Sequence, residues 1–163
     1  MGRIFDRLRA FEDVVDEHLA LGDSRAAIVV DIDPLRVSAY TDELDCSVVL
    51  AFPSRVSEVL QGEAFALKPG TRLLTVNTYW VGDSLMWDVW NGPKAYNRYA
   101  NFYPVIAEVF SSDNLAIERR KAHIDEAEWK RCADAGCQYL ERSGGMSRDG
   151  SPWKSQSPPT RRS

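Results

Sequence analysis

Two kinds of residue in this chain could do chemistry, carboxylates and aromatic rings. Asp31 and Asp33 follow the apolar run Ala26 to Val30 as an Asp-x-Asp pair, and Ser54 follows the apolar run Val48 to Phe52. Lys68 comes next, then Gly82-Asp83, then Asp88. A carboxylate at the end of a strand serves as a nucleophile or a proton shuttle once a cation and a lysine offset the charge of a phosphoryl group. The second set lies between Tyr79 and Tyr103. Tyr79, Trp80, Trp87, Trp90, Tyr96, Tyr99, Phe102 and Tyr103 are eight of the seventeen aromatic residues, interleaved with Asn91, Asn97 and Asn101 and flanked by Lys94 and Arg98. Large rings mixed with amides and cations suit a contact surface for a protein or small ligand.

In order along the chain, the acidic pieces resemble the four short motifs of haloacid dehalogenase-like phosphatases. That resemblance implies Asp31 as nucleophile, Asp33 as acid and base, Ser54 and Lys68 as phosphate holders, and Asp31, Asp83 and Asp88 as magnesium ligands. The chain departs from the pattern where Pro34-Leu35 follow the aspartates. It departs again in spacing, because a parallel crossover needs a dozen or more residues, usually including a helix, and the residues between Asp33 and Val48 read as a strand and a turn. Gly82-Asp83-Ser84-Leu85 also resembles the signature of GDSL-type esterases. That family's late Asp-x-x-His is missing, since His123 precedes Asp125.

Other sets point to structure. His123, Asp125 and Glu126 lie where a helix starts, and acidic residues there serve the cap and the helix dipole. Cys132 and Cys137 are five positions apart on a helix, about 140° around its axis, too divergent to share a metal unaided. With Cys46 they make three thiols. An odd, sparse count suits free cysteines in a reducing compartment, and the expected location is cytoplasmic. No segment approaches the apolar length of a membrane span. The net charge of −4 gives no general attraction to nucleic acid or to an anionic membrane.

The positioning elements follow from periodicity. Ile4, Leu8, Phe11, Val15 and Leu19 draw one stripe of an amphipathic helix over 3–21, stopped by Gly22. Residues 25–32, 36–41 and 46–52 read as strands with links too short for a helix, hence an antiparallel meander. Ser54 starts a short helix, residues 72–80 form a long strand, and 85–90 is expected to return as a fifth strand. Residues 103–110 are expected to be helical. Asp113 and Asp125 are expected to cap two further helices, the second with Glu128 in capping-box position. Gly136 inside that helix marks close packing. From Ser143 the composition turns to Ser, Gly and Pro, and a disordered tail is expected over 143–163. The tail carries Arg148, Lys154, Arg161 and Arg162 against Asp149, a net +3 that leaves the body near −7.

The expectation is therefore one α+β domain over 1–142. It has an N-terminal helix, a mostly antiparallel sheet of about five strands, and C-terminal helices on one face. Its expected function is a non-catalytic binding or protein-interaction module. The contact residues would be Tyr79, Trp80, Trp87, Trp90, Tyr96, Arg98 and Tyr99. It would need no cofactor and would pair with a protein partner or a second copy, with a small molecule as a further option. The alternative is the magnesium-dependent phosphohydrolase.

Overall fold

The computed structural model describes residues 13, 16, 17, 24–62, 66–111 and 113–150. The helix expected over 3–21 lies outside them, apart from Asp13, Asp16 and Glu17, which are helical. The protein is α+β. Strands β1 (Arg25–Ile32), β2 (Leu35–Thr41) and β3 (Cys46–Phe52) lead into helix α1 (Ser54–Gly62), followed by β4 (Arg72–Trp80) and β5 (Asn101–Ile106). Helices α2 (Ala107–Phe110), α3 (Asn114–Ala122) and α4 (Glu126–Arg142) follow, and β6 (Arg148–Asp149) is the last described element.

The six strands form one sheet in the order β5-β4-β1-β2-β3-β6. The meander is antiparallel, with Ala27 opposite Ala39 and Ser38 opposite Val49. β4 joins the free side of β1, and β5 pairs antiparallel with β4, Tyr79 opposite Phe102. The sixth strand adds parallel to β3, Leu50 opposite Arg148.

Alternation along each strand sends apolar side chains to both faces. Ala27, Val29, Val37, Ala39, Val48, Leu50, Leu73 and Phe102 build the main core on one face, closed by Val56 and Leu60 of α1 and by Val89. On the other face Ala26, Ile28 and Tyr40 meet Trp129 and Cys132 of α4, while Leu74, Val76 and Val105 meet Ile117 of α3. Burial on both sides explains why β1 reads as a continuous apolar run rather than an alternating one.

The caps expected for the last two helices form. Asp113 accepts from the Ala116 N–H at 3.1 Å, and Asp125 accepts from the Glu128 N–H at 2.8 Å. Glu128 does more than a capping box requires. Its carboxylate takes the Ala26 N–H at 3.1 Å and Arg25 Nη1 at 3.2 Å, pinning the start of α4 to the start of β1. Gly136 lets α4 lie on β2, since a Cβ there would come within 2.5 Å of Ser38 Oγ.

Three expectations need correction. Residues 85–90 are not a strand, and the partner of β4 is Asn101–Ile106, so 103–106 is extended and only Ala107–Phe110 is helical. The long strand β4 needed a partner on its outer edge, and the alternation of Phe102 and Tyr103 opposite Tyr79 and Thr78 supplies it. Pro104, which has no N–H to donate, is accommodated because β5 is an edge strand of the sheet. Among the described residues the sheet also has six strands rather than about five, because Arg148 and Asp149, placed with the tail in the sequence, form β6. Residues 151–163 of the expected tail lie outside the described residues.

Candidate functional site

The aromatic segment hangs between β4 and β5. Tyr79 points inward from β4, stacks on Tyr99 with centroids 4.6 Å apart, lies 6.4 Å from Phe102, and shares a 2.8 Å hydrogen bond with Thr41 Oγ1. Strand alternation turns its neighbour Trp80 the other way, and Trp80 is 61% exposed. Val81 beyond it is 74% exposed.

Residues 91–98 are tied to the turn between β2 and β3. The Gly92 N–H donates to Leu44 O and the Tyr96 N–H to Glu43 O, both at 2.9 Å. A Cβ at position 92 would lie 2.1 Å from Asp45 O, so glycine is required by the close approach. Asp45 is the hub of the turn: it accepts from Tyr40 Oη at 2.7 Å and from the Lys94 N–H at 3.0 Å. Burial, then the Asp45 bond, pushes the Tyr40 hydroxyl well above its ordinary pKa. Arg98 grips Glu43 with Nε at 3.1 Å and with Nη2 closer still. Its guanidinium also stands 5.3 Å from the Tyr96 ring. Tyr96 itself is 63% exposed.

Trp90 and Trp87 are half-buried. The Trp90 ring meets Tyr139 edge-on at 6.0 Å and carries the Arg142 guanidinium 5.4 Å above its face. Beside it opens a cleft of about 180 Å³, walled by Asp45 to Ser47, by Trp90 to Pro93, and by Ala135, Gln138, Tyr139 and Arg142 of α4. The seven expected contact residues thus divide. Trp80, Tyr96 and Arg98 stand in solvent, while Tyr79, Trp87, Trp90 and Tyr99 are partly packed.

The acidic set divides as well. β1 and β3 are both antiparallel to β2, so they point the same way without being neighbours. Asp31 and Asp33 after β1 and Ser54 after β3 therefore share one end of the sheet. Lys68 reaches the same end, through a turn bonded to the Val29 carbonyl by the Gly70 N–H. Asp31 is already paired with Arg36 at 2.9 Å, and that bond holds its carboxyl below the usual range. Asp83 follows β4, which runs against β1, and so lies at the opposite end. Asp88 is sealed inside. Both of its oxygens bind Arg148, at 2.7 Å each from Nε and Nη2, and Tyr139 donates to Oδ2 at 2.7 Å. Among the described residues no three His, Cys, Asp or Glu side chains stand where they could hold a metal ion.

Sequence reasoning missed Arg148, Gln138, Tyr139 and Arg142. Tyr139 and Arg142 belong to a helix whose apolar stripe was legible, but the cleft depends on a loop folded back from fifty residues upstream. Arg148 follows a Gly-Gly turn in a stretch with no periodic pattern, and it left no signal.

No protein-family model matches this chain, and no curated protein matches it. Among solved structures it is similar to one described as a "putative membrane protein from Corynebacterium diphtheriae", at 14% identity and a TM-score of 0.47, covering 77% of this chain and 95% of that one. Among the described residues of the present chain, no helix is long and apolar enough to cross a membrane.

Proposed function

We propose that this chain is a non-catalytic protein-interaction module that meets its partner through the solvent side of residues 79–103. The observation that carries this reading is the exposure of Trp80, Val81 and Tyr96 within a segment whose other rings are packed. Solvated tryptophan and tyrosine bodies bring large apolar area to a contact at small entropic cost, and such residues dominate binding energy at interfaces. The backbone around Tyr96 is held by the turn bonds from Glu43, Leu44 and Asp45, and the Trp80 carbonyl accepts from the Ala100 N–H, so the surface is preorganised. The partner is a protein or a second copy of the chain, met in the cytoplasm. The three free cysteines fit that compartment.

The test compares the unaltered chain with Trp80→Ala and Tyr96→Ala. Size-exclusion chromatography with light scattering reads self-association, and affinity capture from the native host with mass spectrometry reads a foreign partner. Loss of either association in both variants, with an unchanged circular dichroism spectrum, supports the reading. Association that survives both substitutions removes it.

A further inference from the structure

The cleft beside Trp90 is of single-residue size and has a defined chemistry. At one end the Arg142 guanidinium is exposed and lies over the Trp90 ring at 5.4 Å. Several other arginines among the described residues face carboxylates: Arg25 faces Asp42 and Glu128, Arg72 faces Glu126, and Arg98 faces Glu43. No carboxylate is paired with Arg142 among the described residues. A guanidinium fixed against an aromatic face keeps its fork of N–H donors free for a carboxylate, which it matches in shape.

In the loop wall, the Asn91 side-chain N–H donates to Asn97 Oδ1 at 3.0 Å, while its own Oδ1 is buried and has no donor among the described residues. A buried acceptor left unfilled forfeits its hydration without replacement. A small turn of that amide toward an incoming N–H relieves it. The carboxylate of Asp45, which would oppose an anion, already accepts from Tyr40 Oη and the Lys94 N–H. The Trp90 ring and Pro93 give the cleft apolar area, and Gln138 adds an amide with both donor and acceptor capacity.

We propose that this cleft captures the C-terminal residue of a partner polypeptide, its carboxylate on Arg142 and its backbone N–H on Asn91 Oδ1. One empty acceptor matches the single N–H of a peptide bond, whereas the ammonium of a free amino acid brings three donors. The rest of the peptide would leave along the loop that presents Tyr96. The inference deepens the interaction reading and rests on it by naming what part of the partner is recognised.

The experiment uses the full chain and a panel of short fluorescein-labelled peptides varied at the last residue. Each is made with a free and with an amidated C-terminus, and binding is read by fluorescence anisotropy. The expected result is a subset of free-acid peptides that bind, with amidation weakening them about tenfold or more. Arg142→Gln should cause a similar loss and should no longer distinguish acid from amide. Arg142 is exposed, so the variant should fold, and its circular dichroism melt checks that. Equal binding of acid and amide forms, an Arg142→Gln protein that keeps the preference, a free amino acid that binds as tightly as the peptides, or no binding across the panel would each overturn the proposal. Capture that is lost in Trp80→Ala but kept in Arg142→Gln leaves the surface reading intact and removes the cleft alone.

Discussion

Asp88 and Arg148 face each other across the closed end of the sheet, sixty residues apart in sequence and with no solvent exposure on either side chain. The contact is bidentate, and it is one part of a larger clasp. Arg148 Nη1 donates to the Phe102 carbonyl at 2.9 Å and Nη2 to Asn101 Oδ1 at 2.8 Å. Arg148 stands on β6 and those acceptors stand on β5, the two outer strands of the sheet. One guanidinium therefore draws the edges of a curled sheet together, with Asp88 from the intervening loop as its counter-ion.

Breaking that clasp on one side should be costly. A buried charge left without its partner costs about 3–5 kcal/mol. Arg148→Met and Asp88→Leu should each lower stability by about that amount in urea unfolding. The double variant should lose less than the sum, because neither ion is stranded. Ending the chain after Met146 should destabilise it as much as Arg148→Met does. Full additivity in the double variant would argue against direct coupling.

The rings of the 79–103 segment should separate by burial. Trp80→Ala and Tyr96→Ala should change stability by no more than about 0.5 kcal/mol, as exposed substitutions do. Phe102→Ala, fully buried beneath Tyr79, should cost about 3–5 kcal/mol. Urea midpoints of the three variants give the comparison directly.

Gly136→Ala should destabilise the protein although alanine is the better helix former by about 1 kcal/mol. The new Cβ would lie 2.5 Å from Ser38 Oγ and 2.6 Å from Ser38 Cβ, and overpacking of that kind costs about 1–3 kcal/mol. Ser38→Gly in the same chain should recover part of the loss. Thermal melts of the single and double variants test the pair.

The cysteines should react unequally. Cys137 is exposed, while Cys46 and Cys132 are buried, and burial above all pushes both of those thiols up to about 12 from 9.0. Iodoacetamide at mildly alkaline pH should add one label quickly and two more only on unfolding, as read by intact mass. The same shifts set a pH dependence. The folded state resists forming either thiolate, so this stabilisation is complete below pH 9 and is lost as pH rises toward 12. Tyr40 and Tyr139, also raised chiefly by burial, add to the fall. Cys132→Ala should make the alkaline decline shallower.

Local pattern alone was enough to place β1 to β4, α1 and the two capped helices. Val29-Val30, the alternation of Val37 and Ala39, and the run from Val48 to Leu50 carry strand periodicity within a few residues. Asp113 and Asp125 carry their caps within three positions. Short links made the meander antiparallel, because no helix fits in them. β5, β6 and the clasp were decided by tertiary structure. Phe102 is a strand residue because the edge of β4 needed pairing, and Arg148 is ordered because Asp88 and the Phe102 carbonyl were waiting inside the sheet. The same holds for the rings. Sequence spacing showed that Trp80 and Trp90 were concentrated in one segment, but their exposure depended on which surfaces the turn at Glu43 to Asp45 and the end of α4 left uncovered. Burial is a sum over distant neighbours, and no short window of sequence contains them.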